Sequence, residues 1–445
     1  MINLFEKYSK DENLILSTLE AAKIKNRTIV LEDDGFLPET FESPYKYFAN
    51  NKPNEKKPLF FNQVKIPQYW TISGDNNSAK ILNGETIKGK INYEKGSDIR
   101  IVKYVEWYDN KQRINHIDHY NQYGMKYAET LLDTNGKTIL KRFFTHDGRL
   151  LYYRNYITNN VILDFEGKTH LFESYVSFLL YYYKCIQLEK SEIIMNSLGL
   201  PLTSTYNLGI KMPKYVIWQE EIGDNIPLNM TQILKDNKRS YKIIVPDKDE
   251  YKNILGKIDV KTDKILSFGY ILKTFKEIDS IKNNENVLIM TNSDNINNIN
   301  KIVNTCKRIT FHIGALTEMS SKLAKLGENN NVKLYPSIKK EMIKELYKKC
   351  SVYLDINQGN EIMNAVRMAF DYNMLIVANS DVLHNKYFTD RDNIFLPNEV
   401  DEIISLLNDL INENDDNLIK EKIRKQRQAA NIVEPNLIKE RILNH

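Results

Sequence analysis

Residues 351–370 read SVYLDINQGNEIMNAVRMAF, and they give the most direct indication of the fold. An apolar run that ends at Leu354 is followed by a polar loop that contains Gly359. Apolar residues then recur at Ile362, Ala365, Val366 and Ala369, the spacing of three and four that is typical of one face of a helix. A strand, a polar turn and a helix in this order predict a doubly wound parallel sheet. The turn lies at the carboxyl end of the strand, where such sheets bind ligands.

The composition is that of a globular protein with several domains. Its 445 residues are 42% hydrophobic, enough for two or three cores. The net charge of +4 is too small to predict nucleic-acid binding. Cys185, Cys306 and Cys350 lie far apart, which indicates free thiols in a reducing cytoplasm. The sequence shows no signal peptide and no apolar run of membrane-spanning length.

The first half of the chain combines an α/β pattern with a β-rich insert. Strands and helices in residues 1–70 and 168–260 predict a first Rossmann-like domain, which opens with a helix and ends with a strand at 258–260. Between them, residues 71–167 hold short strands separated by Asn-Gly and Asp-Gly turns. This pattern predicts an inserted antiparallel β-meander domain for partner binding.

The second half alternates strands and helices most clearly. Residues 261–285 are predicted to be a hinge, and residues 286–416 a second Rossmann-like domain. Thr317 is predicted to cap the helix that follows the strand of His312. Residues 417–445 are predicted to form a charged helix, broken near Pro435, that crosses back to the first domain.

Polar side chains follow successive strands of the second domain. Because the carboxyl ends of parallel strands share one edge, these side chains are expected to converge on a crevice between the domains. His312 lies at the end of an apolar strand, where a histidine serves either as a buried packing residue or as a general base. The candidate binding residues are Asn292, His312, Glu318, Asn357, Gln358, Asn360 and Glu361.

Motifs for cofactors and metals are missing from the sequence. It contains neither a glycine-rich dinucleotide loop nor a P-loop. His116 and His119 form an H-x-x-H pair without further ligands, which does not predict a zinc site. We therefore predict no cofactor and no metal.

The quoted stretch resembles the nucleotide-sugar loop of retaining glycosyltransferases with two Rossmann domains, E-G-F-G-x-x-x-x-E-A-x-A. Gln358 stands in place of the first glutamate, and Val366 in place of the glutamate that binds the ribose. Gly359 and Ala369 keep their places. Residues 291–299, TNSDNINNI, contain no cation for a donor diphosphate. The resemblance implies an α/β fold of GT-B type, two Rossmann-like domains with the meander inserted, without donor chemistry.

The chain is identified as a member of the GtfB family by further segments in the same order. They are IPQYW (66–70), TNSD (291–294), FHIGALTEMSSKL (311–323) and VKLYP (332–336), together with the meander insert. The resemblance implies a non-catalytic subunit that stabilises the catalytic O-GlcNAc transferase GtfA. It also implies binding of a serine-rich repeat adhesin, which receives GlcNAc from UDP-GlcNAc before export by the accessory Sec system. The expected location is cytoplasmic and peripheral on the cytoplasmic face of the cell membrane.

The aromatic residues of the meander suggest the surface that binds GtfA. Aromatic side chains are enriched at protein interfaces, although such rings also fill the cores of sheets. The candidates are Tyr104, Trp107, Tyr120, Tyr123, Phe143 and Tyr152. The basic tail fits either anionic lipid or a solvated helix face. Its basic residues are Lys420, Lys422, Arg424, Lys425 and Arg427.

Two other functions remain open from the sequence. An active retaining glycosyltransferase would need Glu361 or Glu318 to bind the ribose, and a cation such as Arg367 or Lys386. An export adaptor would have no part in sugar transfer.

Overall fold

The computed structural model describes most of the chain as two compact units. Unit 1 comprises Met1–Leu16 and Lys25–Ser267, and unit 2 comprises Ser17–Ile24 and Phe268–His445. The described residues are 1–50, 57–75, 77–94, 100–209, 211–258, 263–267, 269–271, 274–281, 285–412, 416–430 and 432.

The described part of the chain contains these strands and α-helices. The strands are β1 (Ile2–Phe5), β2 (Arg27–Val30), β3 (Thr71–Gly74), β4 (Ser78–Asn83), β5 (Thr86–Tyr93), β6 (Val102–Tyr108), β7 (Ile114–Tyr120), β8 (Lys126–Leu132), β9 (Thr138–Phe144), β10 (Leu150–Asn155), β11 (Val161–Phe165), β12 (Lys168–Phe172), β13 (Ile193–Met195), β14 (Lys214–Ile217), β15 (Tyr241–Val245), β16 (Ile265–Ser267), β17 (Asn286–Met290), β18 (Thr310–Gly314), β19 (Val332–Tyr335), β20 (Val352–Asp355), β21 (Leu375–Asn379) and β22 (Ile394–Phe395). The helices are α1 (Lys10–Ala21), α2 (Pro44–Ala49), α3 (Tyr175–Cys185), α4 (Leu200–Thr205), α5 (Leu228–Lys235), α6 (Lys248–Lys257), α7 (Ile299–Thr305), α8 (Ser321–Ala324), α9 (Lys340–Lys349), α10 (Ala365–Asp371), α11 (Val400–Asn412) and α12 (Asn417–Ala429).

Unit 1 contains a parallel sheet and the antiparallel meander. The parallel sheet has the order β16-β15-β14-β13-β1-β2. Every residue of β1 and β13 is buried, as expected for a parallel sheet that is covered on both faces.

The meander is a ten-stranded sheet in which β3 to β12 follow one another in chain order. Gly136 and Gly148 have φ angles of 79° and 80° in two of its turns, a conformation that glycine adopts without strain. Its inner face, which carries Phe143 and Tyr152, packs into the same hydrophobic core as β1 and β13. The meander is therefore part of the core of unit 1.

Unit 2 contains a parallel sheet in the order β19-β18-β17-β20-β21-β22. The chain leaves β17 towards one edge of the sheet and returns to the other side of β17 at β20. This reversal is a topological switch point, the position at which doubly wound sheets bind ligands. Ile419 and Ile423 of α12 are buried in the core of this unit.

The fold class is the predicted one, whereas several local predictions were wrong. The chain opens with β1 rather than a helix. Ser320, not Thr317, caps α8, since its Oγ accepts a hydrogen bond from the N–H of Leu323 at 3.4 Å. Helix α10 begins only at Ala365, because the positive φ angles of the two preceding residues interrupt the helical period.

The end of the first parallel sheet also differs from the prediction. Its last strand is β16, which lies in the segment predicted to be a hinge. The strand predicted at 258–260 falls mainly on residues outside those described, as does the break near Pro435.

Candidate functional site

Two polar loops meet at the switch point of unit 2. They follow β17 and β20, whose carboxyl ends lie at the same edge of the sheet. A cleft of about 830 Å³ borders these loops and α8. Its polar lining includes Asp294, Asn297, Lys301, Lys322, Gln358 and Asp381.

A chain of hydrogen bonds runs along this cleft. The side-chain amide of Gln358 donates to Oδ1 of Asn297 at 2.6 Å. Asn297 in turn donates to both carboxylate oxygens of Asp381 at 3.1 Å. Lys322 donates to Oδ1 of Asn295 at 2.7 Å. The cleft thus holds amide, carboxylate and ammonium groups in place, which suits a ligand rich in hydroxyl and peptide groups.

Gly359 allows the two loops to approach each other closely. A Cβ atom at this position would lie 1.8 Å from Oδ1 of Asn292. Next to it, the buried Oδ1 of Asn357 lies 2.6 Å from Oγ1 of Thr291. The retained glycine therefore has a packing role in this chain.

His384 fastens the second loop to the end of β20. Its Nδ1 lies 2.5 Å from Oδ1 of Asp355, and its Nε2 lies 2.7 Å from the carbonyl oxygen of Gly359. Both partners are acceptors, so both ring nitrogens must carry a proton. The hydrogen bond to Asp355 is the main cause of the raised pKa of His384, against the opposing effect of burial. The His384 imidazolium thus links the loop that carries Gln358 to the end of β20 through two hydrogen bonds.

The remaining candidates in this loop do not provide a ribose carboxylate. Oε1 of Glu361 accepts a hydrogen bond from the backbone N–H of Val366 at 3.1 Å, and so caps the N-terminal end of α10. Val366 itself is fully buried. Asn360 is exposed beside them. The position of the second glutamate in the motif that this loop resembles is an apolar core position here.

His312 and Glu318 do not line the cleft. His312 is buried in β18, where its ring nitrogens lie 2.8 Å from the Tyr335 hydroxyl and 2.9 Å from Oδ1 of Asn286. Burial lowers the pKa of His312 to about 4, assisted by nearby Lys349 and Lys333. Glu318 accepts a hydrogen bond from the Ser337 hydroxyl at 3.0 Å.

The predicted partner-binding aromatic residues lie in different environments. Phe143 and Tyr152 are buried and stack with their centroids 4.3 Å apart. Trp107 and Tyr120 pack against a small core at the start of the meander. Two others are partly buried: Tyr104 lies opposite His119 in the sheet, and the Tyr123 hydroxyl lies 3.4 Å from Glu39.

The opposite face of the meander, here called the outer face, carries a row that the sequence analysis missed. Strand register places Glu129, Arg142, Tyr153, Ile162 and Leu171 side by side across β8 to β12. Glu129 and Arg142 form an ion pair, and Leu171 is 66% exposed. The row therefore has a charged end and an apolar end.

The sequence analysis also missed His384, Asn297, Asp381 and Lys322. His384 lies 29 positions from Asp355 and belongs to no motif, so no sequence pattern identified it. Asn297 is one of many asparagines in an asparagine-rich chain. Lys322 lay within the segment that carries the family resemblance. Among the described residues, no group of three or more His, Cys, Asp or Glu side chains is placed to bind a metal ion.

Comparison with known proteins places this geometry in a family. Models of the GtfB N-terminal, middle and third domains match residues 2–48, 70–173 and 175–256. The model of the GftB/GlyA-F C-terminal domain matches residues 287–426. The transferase stabilizing protein GtfB of Streptococcus parasanguinis is 36% identical over 89% of this chain and 90% of its own. The chain belongs to the GtfB family.

Other members and solved structures agree with this membership. The GtfB protein of Streptococcus agalactiae is 34% identical over 92% of each chain. These relatives are named UDP-N-acetylglucosamine–peptide N-acetylglucosaminyltransferase stabilizing proteins, not as the transferase itself. A chain in the crystal structure of a GtfA/B complex bound to UDP and GlcNAc has a TM-score of 0.90 and 30% identity, covering 100% of this chain and 99% of that one.

A more distant structure agrees on the architecture alone. TarM of S. aureus has a TM-score of 0.55 at 15% identity, over 100% of this chain and 99% of its own. The α/β fold with two Rossmann-like domains of GT-B type and an inserted antiparallel meander is confirmed.

Proposed function

We propose that this chain is the non-catalytic subunit of a protein O-GlcNAc transferase, which stabilises GtfA and holds a serine-rich adhesin for transfer of GlcNAc from UDP-GlcNAc. The observation that carries the proposal is the switch-point loop. Gln358 takes the place of one donor carboxylate, and the buried Val366 takes the place of the other. A valine side chain accepts no hydrogen bond from a ribose, so the site is suited to another ligand.

The cleft in unit 2 supports binding of the acceptor polypeptide. Its fixed groups match the hydroxyl and peptide groups of a serine-rich chain, because amides and carboxylates pair with both. Gln358 and Asn297 are central, since each lines the cleft and they are bonded to each other. We assign Asn292, Asn357 and Asn360 to the loops that shape the site, and Glu361 to helix capping.

The outer face of the meander supports binding of GtfA. Interfaces combine an apolar centre with a polar rim, and the row from Glu129 to Leu171 has both characters. Leu171 and its neighbours Ile162 and Tyr153 supply the apolar centre. We exclude Phe143 and Tyr152 from this proposal because both rings are buried within unit 1.

We also propose a cytoplasmic location with peripheral contact to the membrane, and export of the glycosylated adhesin by the accessory Sec system. None of the described helices is long and apolar enough to cross a membrane. The basic tail offers less charge for lipid than its sequence suggests. Lys425 and Arg424 form ion pairs with Glu421 and Asp279.

An active glycosyltransferase has little support from the candidate residues. Glu361 caps α10 and Glu318 is bonded to Ser337, so neither carboxylate is placed in the cleft. Arg367 forms an ion pair with Asp371 at 2.9 Å. The three charged side chains that an active donor-sugar site would need, Glu361, Glu318 and Arg367, are therefore already engaged in other contacts.

Reconstitution tests the proposed function. The isolated chain should not hydrolyse UDP-GlcNAc, and its addition to GtfA should increase incorporation of GlcNAc into an adhesin-derived peptide. Turnover by the isolated chain would identify an active transferase instead. Incorporation by GtfA that does not depend on the chain would favour an export adaptor.

A further inference from the structure

A pair of cations on the inner face of the meander has no carboxylate partner within the described ranges of the chain. Lys141 in β9 and Arg154 in β10 lie directly opposite each other in the antiparallel register. Both side chains are partly buried. Like charges in this arrangement repel each other, and burial removes the water that would screen them. A chain keeps such a pair only if other interactions offset this cost.

The immediate contacts of the pair are aromatic. The Arg154 guanidinium lies 4.5 Å from the ring centroid of Tyr156 and 4.2 Å from that of Tyr175. The Lys141 ammonium lies 5.1 Å from the ring centroid of Phe143. Nε of Arg154 is buried without a hydrogen-bond partner. No ion pair joins either cation to an acid among the residues that the structure describes.

Three acids that influence Lys141 electrostatically are engaged elsewhere. They are Glu32, Asp33 and Asp34, which follow β2 and act on Lys141 at longer range. The Asp33 carboxylate accepts hydrogen bonds from the Ser43 hydroxyl and from the backbone N–H of Gly35. Asp34 forms an ion pair with Lys103 at 2.8 Å.

Glu32 is the remaining neighbour. Its carboxylate lies 3.8 Å from the ammonium of Lys7. The charge of the Lys141–Arg154 pair is therefore not cancelled at contact distance by these three acids.

We propose that Lys141 and Arg154 form a binding site for a phosphate group. The planar guanidinium presents donors that match two phosphate oxygens, and the ammonium adds a second positive charge. The Tyr156 ring lies 4.5 Å from the Arg154 guanidinium, so its hydroxyl is available nearby as a neutral donor. The site lies near the carboxyl end of β2, because Tyr175 donates to the carbonyl oxygen of Leu31 at 3.1 Å. It is in unit 1, separate from the cleft, and does not depend on the function proposed above.

Calorimetric titration of the full chain with inorganic phosphate tests this site. We expect saturable binding that weakens at least tenfold in Arg154→Gln and in Lys141→Gln. Arg142→Gln is the matched control, because Arg142 lies on the outer face and is paired with Glu129. It should change the affinity less than twofold. Glu32→Gln should tighten binding, since it removes a negative charge that acts on Lys141.

Titration with two further compounds identifies the chemical class of the ligand. Glycerol 3-phosphate tests a phosphate monoester against free phosphate, and acetate tests a simple carboxylate. Binding of acetate as tight as that of phosphate would overturn the phosphate assignment. Equal phosphate affinity in Arg154→Gln, Arg142→Gln and the unaltered protein would overturn the site, as would the absence of saturable binding. The Nε–H resonance of Arg154 in the unaltered protein should shift on phosphate addition, which provides a test even if a variant fails to fold.

Discussion

Nδ1 of His384 lies 2.5 Å from Oδ1 of Asp355, in an ion pair at the end of the strand that opens the switch-point loop. Asp355 is 1% exposed and His384 is 12% exposed, so water screens this pair poorly. The second ring nitrogen, Nε2, donates a hydrogen bond to the carbonyl oxygen of Gly359. Two residues that are far apart in sequence thus set the conformation of the loop that carries Gln358.

We predict that this ion pair makes stability depend on pH. The pKa of His384 is raised in the folded protein, whereas an unfolded histidine has a pKa near 6.5. The contribution of the pair is therefore complete below pH 6.5 and is lost as the pH rises through the folded pKa. The difference in unfolding free energy between the unaltered protein and His384→Asn should be larger at pH 6 than at pH 9. A difference that does not change with pH would show that His384 is not an imidazolium ion.

Substitution of Gly359 should disturb both loops of the cleft. Gly359→Ala places a methyl group on the side chain of Asn292, and we expect a loss of about 1–2 kcal/mol in unfolding free energy. Asn292→Ala removes the obstructing amide, so the double variant should recover most of this loss. Denaturant unfolding of the four proteins measures the coupling. Strictly additive effects would contradict the contact.

Gln358 should contribute to acceptor affinity without contributing much to stability. Gln358→Ala removes a donor at the cleft, and we expect a 5- to 20-fold weaker Kd for a serine-rich peptide, or about 1–2 kcal/mol. Glu318→Ala is the control, because Glu318 is exposed and lies outside the cleft lining. Fluorescence anisotropy with a labelled peptide measures both. Equal affinities of the two variants would place the acceptor elsewhere.

Glu361, in contrast to Gln358, should contribute to stability and contribute little to acceptor affinity. Glu361→Ala removes the acceptor for the N–H of Val366, and we expect a loss of about 1 kcal/mol in stability through the end of α10. Glu361→Gln keeps an oxygen at this position and should retain most of the stability. Thermal unfolding of both variants separates this capping role from ligand binding. A normal unfolding temperature for Glu361→Ala, together with lost peptide binding, would instead make Glu361 a contact residue.

A charge on the outer face of the meander should weaken the complex with GtfA. Leu171→Lys places an ammonium in the apolar end of the row, and we expect at least a tenfold loss of affinity for GtfA in surface plasmon resonance. Leu228→Lys is the matched control, since Leu228 is 88% exposed at the start of α5, outside the meander. Point variants are preferable to removal of residues 72–166, because the meander packs into the core of unit 1. Equal effects of the two lysines would place the interface on another surface.

Much of the architecture could be predicted from the sequence because it depends on local patterns. Apolar runs of strand length alternate with amphipathic segments, and glycine-containing turns separate the strands of the meander. The replacement of two donor carboxylates by Gln358 and Val366 was also visible, since it needs only the spacing within one loop. Local spacing was therefore sufficient to predict the fold class and the absence of the two carboxylates from this loop.

The side-chain environments were decided by the tertiary structure. Phe143 and Phe144 are neighbours in sequence, but strand register directs Phe143 into the core and leaves Phe144 partly exposed. Register likewise pairs Lys141 with Arg154, and the sheet order brings His384 to Asp355. Local patterns in the sequence were sufficient to predict most of the elements and the carboxylates that the loop lacks. The side chains that meet could be identified only in the folded chain, because contacts between distant residues depend on strand order and register.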